Sequence, residues 1–277
     1  MNRIDGRQLA ANIRADLATR VAAMSAKPGL AIVIVGNDVA SHTYVRLKEK
    51  AAQEIGLHFV RCDFALDATE AIVLARIAEL NTDPSIHGII VQLPLPSHLD
   101  ADRIVNAIAP AKDADGFLKA SLEKFRNDST ALPPVLCEGI WRLIASTGQA
   151  YTGKRAVVLA NSTTFGEPMA MLLTRNGLDV QIAYPPFHNT PTLTRAAEVI
   201  VIAIGQPYFL KTDDVQANTT IIDVGYTRVE SKDVGDVDAA GMQSQVGWLT
   251  PVPGGVGPVT VAMLLDRTVT LATYAKR

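Results

Sequence analysis

The sequence predicts an α/β protein made of two lobes with a cleft between them. Three observations carry that prediction. Short apolar runs alternate with helical patterns along most of the chain. The alternation pauses around 129–134, where Pro133-Pro134 interrupts it, and then resumes. The length of 277 residues, 48% of them hydrophobic and 19% charged, suits two folded domains and gives no sign of disorder.

Asp5 is a plausible N-cap, and Leu9, Ile13, Leu17, Val21 and Met24 then follow at helical spacing. A buried strand is expected over 30–35. Ser41 is read as the cap of a helix running to Gly56, and a second strand covers 59–64. Thr69 opens a helix to Leu80, the turn Asn81-Thr82-Asp83-Pro84 follows, and a third strand covers 88–93. Strands separated by helices pair in parallel through right-handed crossovers.

The second series has strands over 155–160, 180–184, 198–204 and 219–224, with a helix over 167–176 after the first. That is the cadence of a dinucleotide-binding domain. The Pro/Gly stretch over 250–258 is read as neither helix nor central strand, and a final helix is expected from about Thr260. The expected domains are 1–125, with the helix over 260–277 packing back on it, and 126–259, a Rossmann-like nucleotide lobe.

Composition excludes several classes. A net charge of −2 offers no footprint for nucleic acid. No apolar run is long enough for a membrane span, and the N-terminus has no apolar signal core. Two cysteines, Cys62 and Cys137, are too few for a disulfide framework and lack metal-ligand spacing. The five histidines are scattered, so no metal site and no Ser–His–Asp triad is read. A cytoplasmic protein is the expectation.

Four segments are polar in ways that packing does not demand. Tyr44 and Lys48 stand one turn apart on one helix face, an aromatic plane beside an amine. Such a face is normally just solvated, but it also suits a flat heterocycle with an amine at its reactive atom. Gln92 is a lone amide in Val91-Gln92-Leu93-Pro94, either a structural hydrogen bonder or a positioned polar group. Lys112-Asp113-Ala114-Asp115-Gly116 puts two carboxylates around a turn. They are either local backbone acceptors or partners for paired N–H donors of a ligand. The glycines of 251–258 permit close backbone approach, or serve only a rigid connector. Beyond the strand over 155–160, Asn161, Ser162 and Thr163 precede a helix start, where N–H groups and hydroxyls can hold a phosphate. The loop is not G-x-G-x-x-G. The next strand ends in Tyr184-Pro185-Pro186, with neither the acid that would bind a ribose diol nor the arginine that would favour a 2′-phosphate.

In order along nearly the whole chain, these segments resemble the bifunctional methylenetetrahydrofolate dehydrogenase/methenyltetrahydrofolate cyclohydrolase family. The matching stretches are Tyr44-x-x-x-Lys48, Val91–Pro96, 112–116, Asp223-Val224-Gly225, 234–238, and 251–258 with 260–265. The resemblance implies that Lys48 is the cyclohydrolase general acid/base and that Gln92 orients it and limits its protonation. It implies that Tyr44 packs on the folate ring and that Asp115 bonds the pterin. It places Ser41, Leu93, Pro94, Pro253, Gly254, Gly255 and Gly257 around the substrate. Asn161, Ser162, Thr163, Gly205, Gly225, Tyr226 and Thr260 would contact the dinucleotide, NADP or else NAD. A homodimer acting on a folate is implied too.

The chain departs from the family's Gly-Arg-Ser-x-x-Val-Gly-x-Pro loop, reading Ala160-Asn161-Ser162-Thr163-Thr164-Phe165-Gly166-Glu167-Pro168. Losing a charge-assisted phosphate contact costs about 1.5–3 kcal/mol. A paralogue with cyclohydrolase activity alone, or a non-catalytic folate-binding protein, are therefore the alternative readings.

Overall fold

A computed structural model describes residues 1–242 and 246–275. In chain order the elements are β1 (Asn2–Arg3), α1 (Gly6–Ala22), β2 (Gly29–Val35), α2 (Val39–Glu54), β3 (His58–Phe64), α3 (Glu70–Thr82) and β4 (Gly88–Val91). Then come α4 (Ala101–Val105), α5 (Lys119–Asn127), α6 (Val135–Ala145), β5 (Arg155–Ala160), α7 (Thr163–Arg175), β6 (Asp179–Ala183) and α8 (Thr190–Thr194). The last are β7 (Val199–Ala203), β8 (Thr220–Asp223), β9 (Thr227–Val229), β10 (Lys232–Val234), β11 (Trp248–Leu249) and α9 (Val256–Tyr274).

Two compact units divide the chain: residues 11–135 with 261–275, and residues 1–10 with 136–260. The first is built on a parallel three-stranded sheet in the order β3-β2-β4. Every residue of central β2 is buried, as expected of a parallel strand covered on both faces. Val33, Ile89 and Val91 pack against Val73 and Ile77 of α3 and Ile104 of α4. The second unit carries a parallel six-stranded sheet in the order β1-β11-β8-β7-β5-β6. Its core joins Leu159, Ile200, Ile202 and Ile221 with Leu210 and Val237.

Several boundaries differ from the sequence reading, each for a local reason. Asp5 accepts from Arg7 and Gln8 backbone N–H groups, as a cap should. The cap of α2, however, is Asp38, whose carboxylate accepts from the Ser41 N–H at 2.7 Å. An earlier, charged acceptor thus displaces Ser41, which becomes a buried residue of the first turn. Helix α7 begins at Thr163 rather than at 167 and carries Pro168 inside it. Helix α9 begins at Val256, so 256–258 are helical; a proline in the first turn forfeits no intrahelical bond. The reading of that helix to 277 ends in residues 276–277, which lie outside the described residues.

Candidate active site

In the first unit, β4 lies beside β2, and the Gln92 N–H still donates to the Val33 carbonyl, one residue past the strand. This anchors Gln92 at the carboxyl end of a parallel sheet, where α/β proteins place their ligands. Lys48 lies on α2, four residues after Tyr44, and both are half-buried. The Lys48 Nζ donates to the Gln92 Oε1 at 2.9 Å, while the Gln92 Nε2 donates to the Leu93 carbonyl at 2.8 Å. The Leu93 carbonyl can only accept, so it takes the amide's N–H and turns the amide oxygen toward Lys48.

Burial holds the Lys48 amine below its ordinary pKa, and the negative charge of Asp115 partly restores it. The carboxyl of Asp115 is pushed up by burial, opposed by Lys48 and Arg267 and reinforced by Asp113. Desolvation therefore drives this acid and this amine toward their neutral forms while their mutual attraction favours the ion pair.

The two carboxylates of the turn have different tasks. Asp113 is buried, and its oxygens accept the Gly116 and Leu118 N–H groups at 2.8 and 3.1 Å. It holds the turn. Lys112 is spent on the Leu80 and Asp83 carbonyls. Gly116 is left-handed (φ +79°), and a Cβ there would stand 3.0 Å from the Pro134 Cα. Asp115 is half-buried and electrically coupled to Lys48.

Arg267 of α9 escaped the sequence reading. Only 6% exposed, it donates from Nη2 to the Pro133 carbonyl, and its Nη1 lies beside Gly116. Its charge lowers the Asp115 pKa, against the burial that raises it. No local pattern marks it, because its partners come from a segment far away in sequence.

Leu93 and Pro94 are exposed at the end of β4, joined by a cis peptide. Pro253, Gly254, Gly255 and Gly257 belong to the second unit. There Gly254 is left-handed (φ +109°), with the Arg7 side chain against it.

The second unit also holds all the residues expected to contact the dinucleotide. Asn161 follows β5, and its amide donates to the Ile204 carbonyl at the end of β7. Ser162 is the extended N-cap of α7 and makes no side-chain bond to the helix's first turn; Ser162 and Thr163 are exposed. An uncapped first turn flanked by hydroxyls can receive a phosphate, so these residues fit a dinucleotide. A Cβ on Gly205 (φ +68°) would stand 4.0 Å from the Asn161 amide nitrogen, an ordinary contact. Tyr226 is half-exposed, and the Thr260 hydroxyl bonds back to the Val256 carbonyl within α9.

A buried acid pair sets the loops around them. Asp236 accepts the Ile204 and Gly205 N–H groups on Oδ2 at 2.7 and 3.0 Å. Asp223 accepts those of Gly225, Asp236 and Val237. Burial, reinforced by the charge of Asp236 and countered by those N–H bonds, pushes Asp223 up to about 7. A Cβ on Gly225 would fall 2.3 Å from the Asp236 Cγ, so only glycine fits.

Two family profiles match this sequence: the catalytic domain of tetrahydrofolate dehydrogenase/cyclohydrolase over residues 4–115, and its NAD(P)-binding domain over 134–276. The chain belongs to that family. It is 44% identical to the Bifunctional protein FolD of Albidiferax ferrireducens, across 97% of this chain and 95% of that one. Identity to the namesake from Bordetella avium is also 44%, covering 97% and 96%. Among solved structures, the Campylobacter jejuni bifunctional enzyme FolD superposes with a TM-score of 0.94 at 36% identity, covering 99% of each chain. The Trypanosoma brucei methylenetetrahydrofolate dehydrogenase-cyclohydrolase, complexed with NADP cofactor and inhibitor, gives 0.93 at 33% identity, covering 99% and 97%. The two-lobed α/β class predicted from the sequence is the class of these family members.

Proposed function

We propose that this chain oxidises 5,10-methylenetetrahydrofolate to the 5,10-methenyl form with a nicotinamide dinucleotide, and hydrolyses that product to 10-formyltetrahydrofolate. The observation that carries the reading is the Lys48–Gln92 hydrogen bond beside Asp115, which puts an amine of lowered pKa in a partly buried, polar setting.

The dinucleotide, when bound, supplies the acceptor for the hydride leaving the methylene carbon. In that step the chain's residues align and shield. Asp115 accepts N–H groups of the pterin, and Tyr44 stacks on its ring, with Ser41, Leu93, Pro94, Pro253, Gly254, Gly255 and Gly257 shaping the substrate's surroundings. Asn161, Ser162, Thr163, Gly205, Gly225, Tyr226 and Thr260 hold the dinucleotide. NADP is the form the resemblance implies, and NAD is the other candidate.

In the hydrolytic step the neutral Lys48 amine accepts a proton as water adds to the methenyl carbon. The ammonium so formed returns a proton to the ring nitrogen whose bond to that carbon breaks. The adduct's hydroxyl loses its own proton to solvent as the formyl group forms, which balances the positive charge of the methenyl substrate. Gln92 offers an oxygen to either protonation state of the amine and so keeps Nζ in place.

Residues 1–125 with 260–277 are the proposed folate lobe and 126–259 the nucleotide lobe, in a cytoplasmic homodimer. No described helix is long and apolar enough to cross a membrane. Light scattering would test the dimer.

Two assays test the function. Methylenetetrahydrofolate with NAD or NADP should give reduced nucleotide, and methenyltetrahydrofolate alone should lose its absorbance faster than in buffer. Hydrolysis without reduction would leave only the cyclohydrolase; neither activity would sink the proposal.

A further inference from the structure

We propose that the dinucleotide taken by this chain has a free 2′-hydroxyl on its adenosine ribose, NAD rather than NADP, and that Asn161, Glu167 and Tyr184 set that choice. The inference rests on the dehydrogenase reading above. In a β-α-β nucleotide unit the phosphates meet the helix start, and the residue closing the second strand faces the adenosine ribose. Here the unit is β5-α7-β6, and the residue after β6 is Tyr184.

Tyr184 lies back over the first turn of α7. A Cβ on Gly166 would stand 2.6 Å from the phenol oxygen and 2.9 Å from the ring's Cε1. That oxygen is buried and has no hydrogen-bond partner among the described residues. Burial, and then the charge of Glu167, raise the pKa of the phenol, so it stays a neutral hydroxyl. Beyond it, Pro185 and Pro186 have no N–H to offer a phosphate.

No lysine or arginine occurs over 161–168, where α7 starts, or over 184–189, after β6. Between Asn161 and Thr194 the sequence has one lysine or arginine, Arg175, and it lies in the last turn of α7, away from the phosphate end. Arg155 begins β5 at the opposite end of the sheet, and Arg195 donates to the Asp213 carbonyl. The Asn161 amide is committed to the Ile204 carbonyl. The nearby charge is a carboxylate: Glu167, exposed, next to the glycine that Tyr184 covers. A 2′-phosphate, close to doubly negative at neutral pH, would meet a neutral wall and a like charge. A 2′-hydroxyl meets neither obstacle.

Isothermal titration of the full chain with NAD+ and with NADP+, without folate, tests this directly. NAD+ should bind at least about tenfold more tightly. Asn161→Arg should improve NADP+ affinity by roughly ten- to a hundredfold, the worth of a charge-assisted bond. Glu167→Gln, on an exposed side chain, should improve NADP+ binding by roughly two- to fivefold and NAD+ binding by less than that. It keeps the test informative should Asn161→Arg disturb the β5–β7 tie. NADP+ binding as tightly as NAD+, or more so, overturns the inference and leaves the dehydrogenase standing. Binding of neither nucleotide overturns both.

Discussion

Replacing Lys48 with methionine keeps an unbranched stem of similar volume on α2 and removes only the amine. Two consequences can be scaled. A positioned general acid/base contributes roughly 10²–10⁴-fold to rate, so cyclohydrolase kcat should fall by that factor. Stability is pulled in opposite directions. The Gln92 Oε1 loses the donor it holds at 2.9 Å, costing about 0.5–1.5 kcal/mol, while a desolvated cation is no longer held in the site. The melting temperature should therefore move by only a few degrees. Hydride transfer moves no proton through Lys48, so methylene oxidation should persist within severalfold.

The assay follows methenyltetrahydrofolate absorbance across pH, beside dehydrogenase rates and a thermal melt. In the wild type, hydrolysis should rise as pH passes upward through the amine's pKa, which burial sets below its ordinary 10.5. That inflection should vanish in the methionine variant. Cyclohydrolase surviving the substitution with its inflection intact would refute the role given to Lys48.

Other expectations follow from the same geometry. Arg267→Met removes a charge that lowers the Asp115 pKa, so folate affinity should begin to fall with acidification at a higher pH than in the wild type; binding titrations across pH would show it. Asp223 titrates at about 7 when folded against an ordinary 3.8, so its folded carboxyl keeps its proton where the unfolded chain has lost it. Its contribution to stability should decline as pH rises from about 4 to 7, by up to about 4 kcal/mol, and the advantage of wild type over Asp223→Asn should shrink over that window in denaturant melts. The Tyr151 hydroxyl bonds the Thr147 and Thr220 hydroxyls at 2.8 and 2.9 Å in the buried interior. Tyr151→Phe should cost about 1–3 kcal/mol of unfolding free energy, with dinucleotide affinity unchanged.

Much of the fold was legible because parallel strands buried on both faces read as uninterrupted apolar runs. β2 and β5 stand within a residue of where the sequence placed them. The two-residue strands β1 and β11 were illegible, since a pair that short carries no periodicity. The helices α4, α5 and α6 were passed over for another reason. The sequence between 97 and 145 is punctuated by prolines and carboxylates that also begin helices, as Asp100 does by accepting the Arg103 N–H. Proline misled twice more: at 258, a first-turn position that tolerates it, and at 168, which lies inside α7 at the cost of one helix hydrogen bond.

At the site, Lys48 and Gln92 were legible as motif residues, and the structure joins them by a hydrogen bond. The resemblance singled out Asp115, but the residues alone did not separate it from Asp113. Both read as turn acids, and only the N–H groups of Gly116 and Leu118 reveal which one the backbone consumes. Arg267 and the Asp223–Asp236 pair depend on contacts between distant segments, which spacing cannot encode.

The central claim is a polar site around Lys48 that hydrolyses a methenyl folate. The most direct measurement is the pH profile of methenyltetrahydrofolate hydrolysis by the unmodified chain and by Lys48→Met. The account predicts rapid hydrolysis with an inflection below the ordinary lysine pKa, abolished by the substitution. Hydrolysis no faster than in buffer, or equal in the two proteins, would contradict it.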